Sequence, residues 1–380
     1  MKPIKILDTT LREGQQAVHP KKPSQGIVFT RDEQIKIAKL LIEFGIDYIE
    51  IASPVDSKFS KNTYSRIINL PREKTKILVH CRCHKADILE ALSINPDGIN
   101  LFIGTSKYNL LGNKRTFKKA VALAKESIML IKSINPKIFI RLSAEDIFRT
   151  SRGNLLKFIL ETKDMVNRFG LPDTTGVAVP EEIHEIVTQI KRITKGVDLE
   201  FHGHNDRGLG LANSLAAYKA GVSVLDSTIL GIGERNGIAS LSGLIAVVFS
   251  KNNNWLSRNY NLKMLPKIDS TVARILRIKV PHNMPITAPG AFSHVAGVHV
   301  NAMQANPRSY QLLNAATFGR KTKTSIVSSV MGKTFVLKKA EKEKRVLTKH
   351  EAQKIASRIR EEMKINGKVN GARLKKFMFG

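Results

Sequence analysis

The most restrictive feature of this sequence is a regular alternation of short β-rich runs with longer amphipathic runs. Helical stretches such as 31–44, 116–133 and 181–194 lie between the β-rich runs. The eight strand candidates are 4–11, 48–53, 76–82, 98–105, 137–143, 168–174, 198–204 and 224–230. Eight strands, each followed by a helix within about 250 residues, predict a (β/α)8 TIM barrel of the α/β class. The alternative is a doubly wound open sheet, which often begins with a Gly-rich phosphate loop, but no GxGxxG motif follows the first strand candidate.

The alternation stops after Phe249, where the polar run KNNNW begins. Residues 256–380 have a mostly helical pattern, with loops near 281–289 and 306–324. The chain of 380 residues also exceeds the usual length of one domain. We therefore expect a catalytic barrel over 1–255 and a mostly helical C-terminal extension over 256–380 that either caps its own barrel or contacts a partner subunit.

Several features of the sequence bear on its location. It has no apolar run of 18 or more residues, so a membrane span is not expected. The N-terminus enters a strand-like pattern directly and lacks the regions of a signal peptide. Cys81 and Cys83 are the only cysteines, too few for a disulfide framework. These features predict a cytoplasmic location.

The charge is unusual, since 62 Lys and Arg against 32 Asp and Glu give a formal net charge of +30. One interpretation is binding to nucleic acid, because clustered cations neutralise phosphates. The last 50 residues hold 15 basic and 5 acidic side chains, but these alternate with apolar residues at helical spacing and lack a series of aromatic residues. This pattern is typical of solvated helices, so no nucleic-acid partner is expected. A polyanionic cofactor would also suit such a surface.

Two strand ends together predict a metal site. In HGHND at 202–206, His202 and His204 are two residues apart on a strand and therefore share a face. The first strand ends in DTTLREG at 8–14, where Glu13 supplies a carboxylate and Arg12 a fixed positive group. Glu13 with the two histidines would form a two-His, one-carboxylate site that polarises a carbonyl or generates a bound hydroxide. The same ligands also suit a non-haem iron oxygenase. The alternative to any metal site is that His202 and His204 are two unrelated polar residues on one strand.

The motif HCRCH at 80–84 suggests zinc, but strand alternation places His80 and Cys81 on opposite faces. One tetrahedral site could not use both faces. We expect the cysteines to pack between the barrel and its helices, and His80 and Arg82 to be available for substrate.

Three further strand ends carry polar groups. In RLSAED at 141–146, Arg141 and Ser143 share a face and Glu145 continues it; a guanidinium there would bind a carboxylate through two hydrogen bonds. PDTTG at 172–176 offers Asp173 and Thr174. GIGERNG at 231–237 predicts a tight loop that could lie over a phosphate or cofactor.

Together, DTTLREG, HGHND and GIGERNG resemble the signature motifs of the acetyl-CoA-condensing metallolyases. This family contains the homocitrate, 2-isopropylmalate and citramalate synthases and, more distantly, HMG-CoA lyase. The resemblance covers nearly the whole chain and is closest to the homocitrate synthases. The segments that carry this closer resemblance are GTSKY at 104–108, RLSAEDIFR at 141–149, ILGIGERNGI at 229–238, FSHVAGVH at 292–299 and NPRSY at 306–310.

The resemblance implies a metal-dependent Claisen condensation of acetyl-CoA with a 2-oxo acid, which in the homocitrate synthases is 2-oxoglutarate and serves lysine biosynthesis. It also implies a divalent ion, namely Zn, Mn, Mg or Co, held by Glu13, His202 and His204, with Arg12 stabilising charge on the ketone oxygen. The implied 2-oxo acid contacts are His80, Arg141, Ser143 and Thr174, with Gln16 nearby. The implied proton-transfer group is Glu145, His299 and Tyr310, the last two from the partner subunit of a homodimer.

Departures from the family pattern keep alternatives open. Segment 14–29 is longer than the first βα loop of the homocitrate synthases, and 207–221 resembles the isopropylmalate synthases, so 2-isopropylmalate or citramalate synthesis is the first alternative. Ile238 stands where isopropylmalate synthases have an Asn metal ligand, which favours the homocitrate branch. A carbon–carbon lyase similar to HMG-CoA lyase and a nucleic-acid-binding protein are the remaining alternatives.

Overall fold

The computed structural model describes residues 3–56, 58–324 and 327–380. Its first compact unit, Met1–Thr287, contains a closed barrel of parallel strands. The barrel strands are β1 (Lys5–Asp8), β2 (Tyr48–Ala52), β3 (Lys76–Arg82), β4 (Gly98–Gly104), β5 (Phe139–Glu145), β6 (Arg168–Asp173), β7 (Asp198–Gly203) and β8 (Val224–Ser227). Because β1 pairs with both β8 and β2, the sheet has no free edge, and the predicted TIM barrel is confirmed.

Helices follow the strands around the barrel. Those of the first unit are α1 (Arg31–Phe44), α2 (Lys58–Ile68), α3 (Lys85–Leu92), α4 (Lys107–Gly112), α5 (Phe117–Ile134), α6 (Arg152–Thr162), α7 (Pro180–Ile193), α8 (Gly210–Ala220), α9 (Leu241–Asn259) and α10 (Leu265–Ile275). Short 3-10 helices are Glu13–Gln16, Pro54–Asp56, Ile147–Arg149, Lys163–Met165, Ile229–Gly231 and Leu262–Met264. A small antiparallel hairpin, Val18–His19 with Lys22–Gly26, lies in the connection between β1 and α1.

Helix α1 shows how local sequence fixes these elements. At its start the Thr30 hydroxyl accepts from the Glu33 backbone N–H while the Glu33 carboxylate accepts from the Thr30 backbone N–H, which is a capping box. At its end Gly45 adopts a left-handed conformation with φ of 84°. Between these caps, Ile37 and Leu41 are fully buried against the barrel, so the helix has both ends and one face defined.

The floor of the barrel is apolar. Leu7, Tyr48, Leu78 and Val224 form one cluster contributed by β1, β2, β3 and β8. Fully buried Arg168, the first residue of β6, contacts this cluster, with its guanidinium carbon 4.3 Å from the centre of the Tyr48 ring. The candidate site lies towards the C-terminal ends of the strands.

The second compact unit, Ala288–Gly380, has its own hydrophobic core. Its helices are α11 (Gly297–Ala305), α12 (Lys333–Lys342), α13 (Lys349–Asn366) and α14 (Gly371–Phe379), with a 3-10 helix at Ala315–Phe318. The core consists of Met331, Phe335, Val336, Ala340, Ala352, Ala356, Ile359 and Met378. The helical character predicted for the C-terminal region is confirmed.

The compact units divide later along the chain than the expected boundary between 255 and 256. KNNNW lies inside α9, and both α9 and α10 belong to the first unit. In α9 the exposed Asn253 and Asn254 are followed by fully buried Leu256, so these two asparagines lie on the solvent-facing side of a helix that continues. Over the part of the chain that the structure describes, no helix combines the length and apolar character required to cross a membrane.

Candidate active site

A polar cavity of about 270 Å³ lies at the C-terminal ends of the barrel strands. Its lining residues are Arg12, Glu13, Gln16, His80, Phe102, Arg141, Ser143, Glu145, Pro172, Thr174, His202, His204, Glu234 and Arg235. Ten of these are candidate site residues from the sequence, namely Arg12, Glu13, Gln16, His80, Arg141, Ser143, Glu145, Thr174, His202 and His204. The parallel barrel brings them together because every strand ends at the same rim.

Glu13, His202 and His204 form a candidate metal site. Each offers one ligand atom, and these atoms all lie within 4.8 Å of one another. The two histidine Nε2 atoms are 3.3 Å apart, and His204 Nε2 is 3.9 Å from Glu13 Oε1. Within the described residues, this is the cluster of at least three His, Cys, Asp or Glu side chains whose geometry could hold a metal ion. The donor set fits a divalent cation with positions left open.

The protonation states of this trio also suit a cation. Burial lowers the pKa of His202 to about 4, and burial together with His202 lowers the pKa of His204 to about 3. Burial alone would raise the pKa of Glu13, but Arg12, the two histidines and the Glu234 backbone N–H together outweigh it, and the pKa falls to about 2. Neutral imidazoles and an ionised carboxylate are the ligating forms, so no proton must be displaced at neutral pH.

Neighbouring groups orient the trio. Asp226 on β8 lies 2.9 Å from His202 Nδ1, which leaves Nε2 for a ligand. Glu13 Oε1 accepts from the backbone N–H of Glu234 at 2.9 Å, and Glu13 Oε2 pairs with Arg12. The Gly-rich loop at 231–237 therefore holds a metal-site carboxylate in place.

That loop depends on a glycine for its shape. Gly237 has a φ of 72°, and a Cβ there would lie 1.8 Å from the carbonyl oxygen of Gly231. Arg235 ties the loop to its neighbours through Asp206 Oδ1 at 2.7 Å and the Thr174 carbonyl oxygen at 2.7 Å. Three strand ends, those of β6, β7 and β8, are thus linked above the cavity.

Glu50 on β2 is a central residue that sequence reasoning missed. Its buried carboxylate accepts from Arg12 Nε at 2.7 Å, Asn100 Nδ2 at 2.6 Å and Thr9 Oγ1 at 2.7 Å. It also lies 3.2 Å from His80 Nδ1. The available signal was an acidic residue within the otherwise apolar strand YIEIA, since a charge there requires a buried partner.

Opposite charges hold Glu50 ionised. Burial opposes ionisation, but Arg12, His80 and Arg141 hold the pKa of the Glu50 carboxyl well below its usual range. The Arg141 NH1 atom is 3.7 Å from Glu50 Oε1. Glu50 therefore connects Arg12, beside the candidate metal site, with His80 and Arg141.

Arg141 and Ser143 on β5 retain unused hydrogen-bonding capacity. Arg141 NH2 lies 2.7 Å from Glu200 Oε1, while Arg141 Nε and Ser143 Oγ have no protein partner among the described residues. Both atoms face Gly170 on β6, where a Cβ would lie 2.1 Å from Ser143 Oγ and 2.5 Å from Arg141 Nε. The missing side chain at Gly170 makes room for this pair, which can bind a carboxylate.

Glu145 and Thr174 lie at neighbouring strand ends. Burial, and then the adjacent Asp146, raise the pKa of Glu145, which makes its carboxylate a stronger base. Thr174 Oγ1 accepts from the Asp146 backbone N–H at 2.9 Å, so it also orders the loop after β5. Gln16 Oε1 accepts from Arg12 NH1 at 3.4 Å.

The structure separates the members of HCRCH. His80 lines the cavity and stacks on Phe102 with ring centres 4.4 Å apart. Arg82 pairs instead with Asp87 at 2.6 and 2.9 Å and does not line the cavity. Cys81 is buried and burial raises the pKa of Cys83 to about 12, as expected for cysteines that pack rather than bind metal.

His299 and Tyr310 belong to the second unit and are not among the residues that line this cavity. His299 lies on α11, and its ring stacks on that of Tyr310 with centres 4.0 Å apart. Tyr310 is 48% exposed. Their predicted part in proton transfer stays a prediction.

Comparison with known proteins gives matches over both units. The HMGL-like family model matches residues 3–272, and the model of the homocitrate synthase post-HMGL domain matches 286–366. A mitochondrial homocitrate synthase of Yarrowia lipolytica is 39% identical over 319 residues, covering 83% of this chain and 69% of the relative. The cytosolic homocitrate synthase isozyme of Saccharomyces cerevisiae is 35% identical over 360 residues, covering 94% and 81%.

A solved structure resembles the fold. Hydroxymethylglutaryl-CoA lyase from Pseudomonas aeruginosa matches with a TM-score of 0.62 at 15% identity, over 80% of this chain and 98% of that chain. At this identity the likeness concerns the barrel fold alone.

Proposed function

The chain belongs to the HMGL-like family, and from this premise we propose that it is an acyltransferase of the homocitrate synthase type, which condenses acetyl-CoA with 2-oxoglutarate to give homocitrate and CoA. The observation that carries the proposal is the trio of Glu13, His202 and His204 beside Arg12 in a cavity that Arg141 and Ser143 also line. A 2-oxo dicarboxylic acid needs both a site for its ketone and a cationic site for its distant carboxylate.

The residues divide this work between them. A divalent cation held by Glu13, His202 and His204 would polarise the ketone oxygen of the acceptor. Arg12 adds a fixed positive charge, and its contacts with Glu13 and Glu50 hold it in position. The acceptor would be held by His80, Arg141, Ser143 and Thr174, with Gln16 at the edge of the cavity.

Carbon–carbon bond formation requires a base, because the methyl group of a thioester is a very weak acid. We assign this role to Glu145, whose pKa is raised by burial and Asp146. His299 and Tyr310 would complete the proton-transfer group from the partner subunit of a homodimer, with 288–380 as the extension that carries them. The relatives named above include a mitochondrial and a cytosolic homocitrate synthase. A cytoplasmic location and a role in lysine biosynthesis are parts of this proposal.

A substrate panel tests the proposal. Thiol release from acetyl-CoA is measured with 2-oxoglutarate, pyruvate, 2-oxoisovalerate or oxaloacetate, after chelation and after return of Zn, Mn, Mg or Co. We expect the highest kcat/KM with 2-oxoglutarate and no turnover of the chelated protein. Absence of thiol release with all four acids would refute the condensing activity, and preference for another acid would refute the acceptor.

A pair of histidine variants tests the metal site in the same assay. His202→Ala should lose metal binding and turnover while its circular dichroism spectrum stays that of the parent protein. His184→Ala, on the exposed face of α7, removes an imidazole of the same size and should retain both. Metal bound stoichiometrically to His202→Ala would contradict the assignment.

A further inference from the structure

The connection from β4 to α5 contains an unusual concentration of positive charge. Between Asp97 and Glu126 the sequence has 28 residues without a single carboxylate side chain, and six of them are Lys or Arg. Five of the six occur within 107–119, and these are Lys107, Lys114, Arg115, Lys118 and Lys119. These five, together with Tyr108, are called the basic rim below.

The basic rim lies beside the catalytic end of the barrel. Gly104 at the end of β4 is the register partner of Glu145 at the end of β5. The next residue, Thr105, donates its backbone N–H to the Glu145 carbonyl oxygen at 3.3 Å, and its hydroxyl lies 2.9 Å from that of Thr150. Lys107, the first residue of α4, is therefore only two residues beyond the backbone contact between Thr105 and Glu145. Phe102, on strand β4, lines the cavity.

The charges of the basic rim are not balanced within the protein. Over the described residues, none of its five cationic groups has a carboxylate oxygen within 4.0 Å, whereas Lys125 farther along α5 pairs with Glu161 at 3.0 Å. Four of the five are exposed, and Arg115 is partly buried. Several like charges on one short segment repel one another, so this surface gains most from a polyanion.

Tyr108 adds a second kind of group. Its ring is 51% exposed, and Lys107 Nζ lies 4.9 Å from the ring centre. The Arg149 guanidinium carbon from the loop after β5 is 4.6 Å from the same ring. An exposed aromatic ring among cations suits a ligand that carries both a base and phosphates.

We propose that the basic rim binds the phosphorylated nucleotide end of the acyl-CoA substrate. This inference rests on the proposed function, since it takes Glu145 as the base that faces the acetyl methyl group. In this arrangement the thioester lies next to Glu145, and the remaining chain of the cofactor would leave the cavity past the ends of β4 and β5, from which the rim begins. The 3′-phosphate and diphosphate are the anionic part of that chain, and the rim supplies unpaired cations at this side of the opening.

Truncated substrates separate the rim from the chemistry. The double variant Lys107→Gln/Lys114→Gln is compared with the parent protein on acetyl-CoA and on acetyl-pantetheine, which lacks the nucleotide and all its phosphates. We expect the KM for acetyl-CoA to rise roughly tenfold in the variant, so that the ratio of kcat/KM for acetyl-CoA to that for acetyl-pantetheine falls by about the same factor. Added salt should weaken the binding of acetyl-CoA to the parent protein more than to the variant.

The matched control is Lys132→Gln/Lys137→Gln, which removes two exposed charges from the opposite end of α5 and the segment before β5. It should leave the substrate ratio at the parent value, which excludes a general effect of net charge. An unchanged ratio in the rim variant, or an equal fall of the ratio in the control, would overturn the proposal.

Calorimetric titration with CoA alone keeps this test separate from the proposed function. Weaker CoA binding by the rim variant than by the control supports the rim even if no 2-oxo acid is turned over. Equal CoA affinity of the two variants refutes the rim even if homocitrate is formed.

Discussion

Glu50 and Asp226 show how single buried carboxylates set up the cavity. Asp226 orients a metal-site histidine, and Glu50 places its charge between Arg12, His80 and Arg141. Neither residue lies in a motif that attracts attention in the sequence. Glu50 acts through close opposite charges on its arginine partners, whereas Asp226 acts through a hydrogen bond that orients the neutral His202 ring.

Replacing Glu50 with Gln should keep the metal but impair the chemistry. Glu50→Gln removes the charge that fixes Arg12, and we expect kcat/KM to fall between about tenfold and hundredfold, with a loss of about 3 kcal/mol in unfolding free energy. Steady-state kinetics, metal analysis and urea unfolding measure the three quantities. Glu43→Gln, on the exposed side of α1, is the control. Near-normal turnover in Glu50→Gln would show that Arg12 is held by its other contacts.

Asp269 predicts a pH effect on stability. It is fully buried on α10, and burial raises its pKa to about 6, opposed by hydrogen bonds from Thr287 and Ser242. The folded state therefore binds more protons than the unfolded state between about pH 4 and 6, and wild-type stability falls as pH rises through this window.

Asp269→Asn removes this titration and can still accept the Thr287 hydrogen bond. Relative to wild type, it should gain up to about 3 kcal/mol between pH 4 and 7. Urea unfolding at several pH values measures the difference, with Asp198→Asn at the exposed start of β7 as the control. A difference between wild type and Asp269→Asn that does not vary with pH would contradict this prediction.

The strands and helices followed closely from local sequence pattern. The predicted strand 76–82 has the same bounds in the structure, as does the helix 31–44, because apolar periodicity and caps define both. The strand hairpin at 18–26 was not predicted, since it is almost entirely exposed and lacks an apolar alternation. Helix α9 extends through KNNNW because its buried residues on either side continue the helical period.

Gly170 in β6 is a position where an added side chain should disturb the neighbouring strand. Gly170→Ala would place a methyl group 2.1 Å from Ser143 Oγ and 2.5 Å from Arg141 Nε, inside the barrel. Because the neighbouring strand cannot move away, we expect a displaced Arg141, a rise of at least about tenfold in the KM for 2-oxoglutarate, and a lower melting temperature.

Gly153→Ala is the matched control for this variant. A Cβ at this position of α6 meets no atom within 4 Å, so the substitution should be neutral or add up to about 1 kcal/mol of stability. An unaltered KM for 2-oxoglutarate in Gly170→Ala would show that Arg141 does not hold the acceptor.

At the scale of the whole molecule, the chain consists of two compact units with separate cores. The candidate metal site and the proposed acceptor site belong to the first, while His299 and Tyr310 belong to the second. If the second unit serves the partner's cavity, each site of a homodimer contains residues from both chains.

Mixing two inactive variants tests this arrangement. His202→Ala and His299→Ala should each lack turnover, but after joint unfolding and refolding the mixture should recover roughly a quarter of wild-type activity, because half the dimers are mixed and each has one complete site. Thiol release measures the recovery, with a mixture of His202→Ala and His204→Ala, which share one metal site, as the control. Recovery no greater than in the control would contradict a shared site.

The sequence by itself determined the barrel and the order of its strands, which depend on short-range periodicity, and two separate motifs identified the candidate trio for a metal ion. Only the tertiary structure revealed the central place of Glu50, the room that Gly170 leaves for Arg141, and the unbalanced charge of the basic rim beside Glu145. The reason is physical: hydrogen bonds, steric fit and electrostatic balance depend on distances between residues tens of positions apart, and those distances exist only after the sheet has closed.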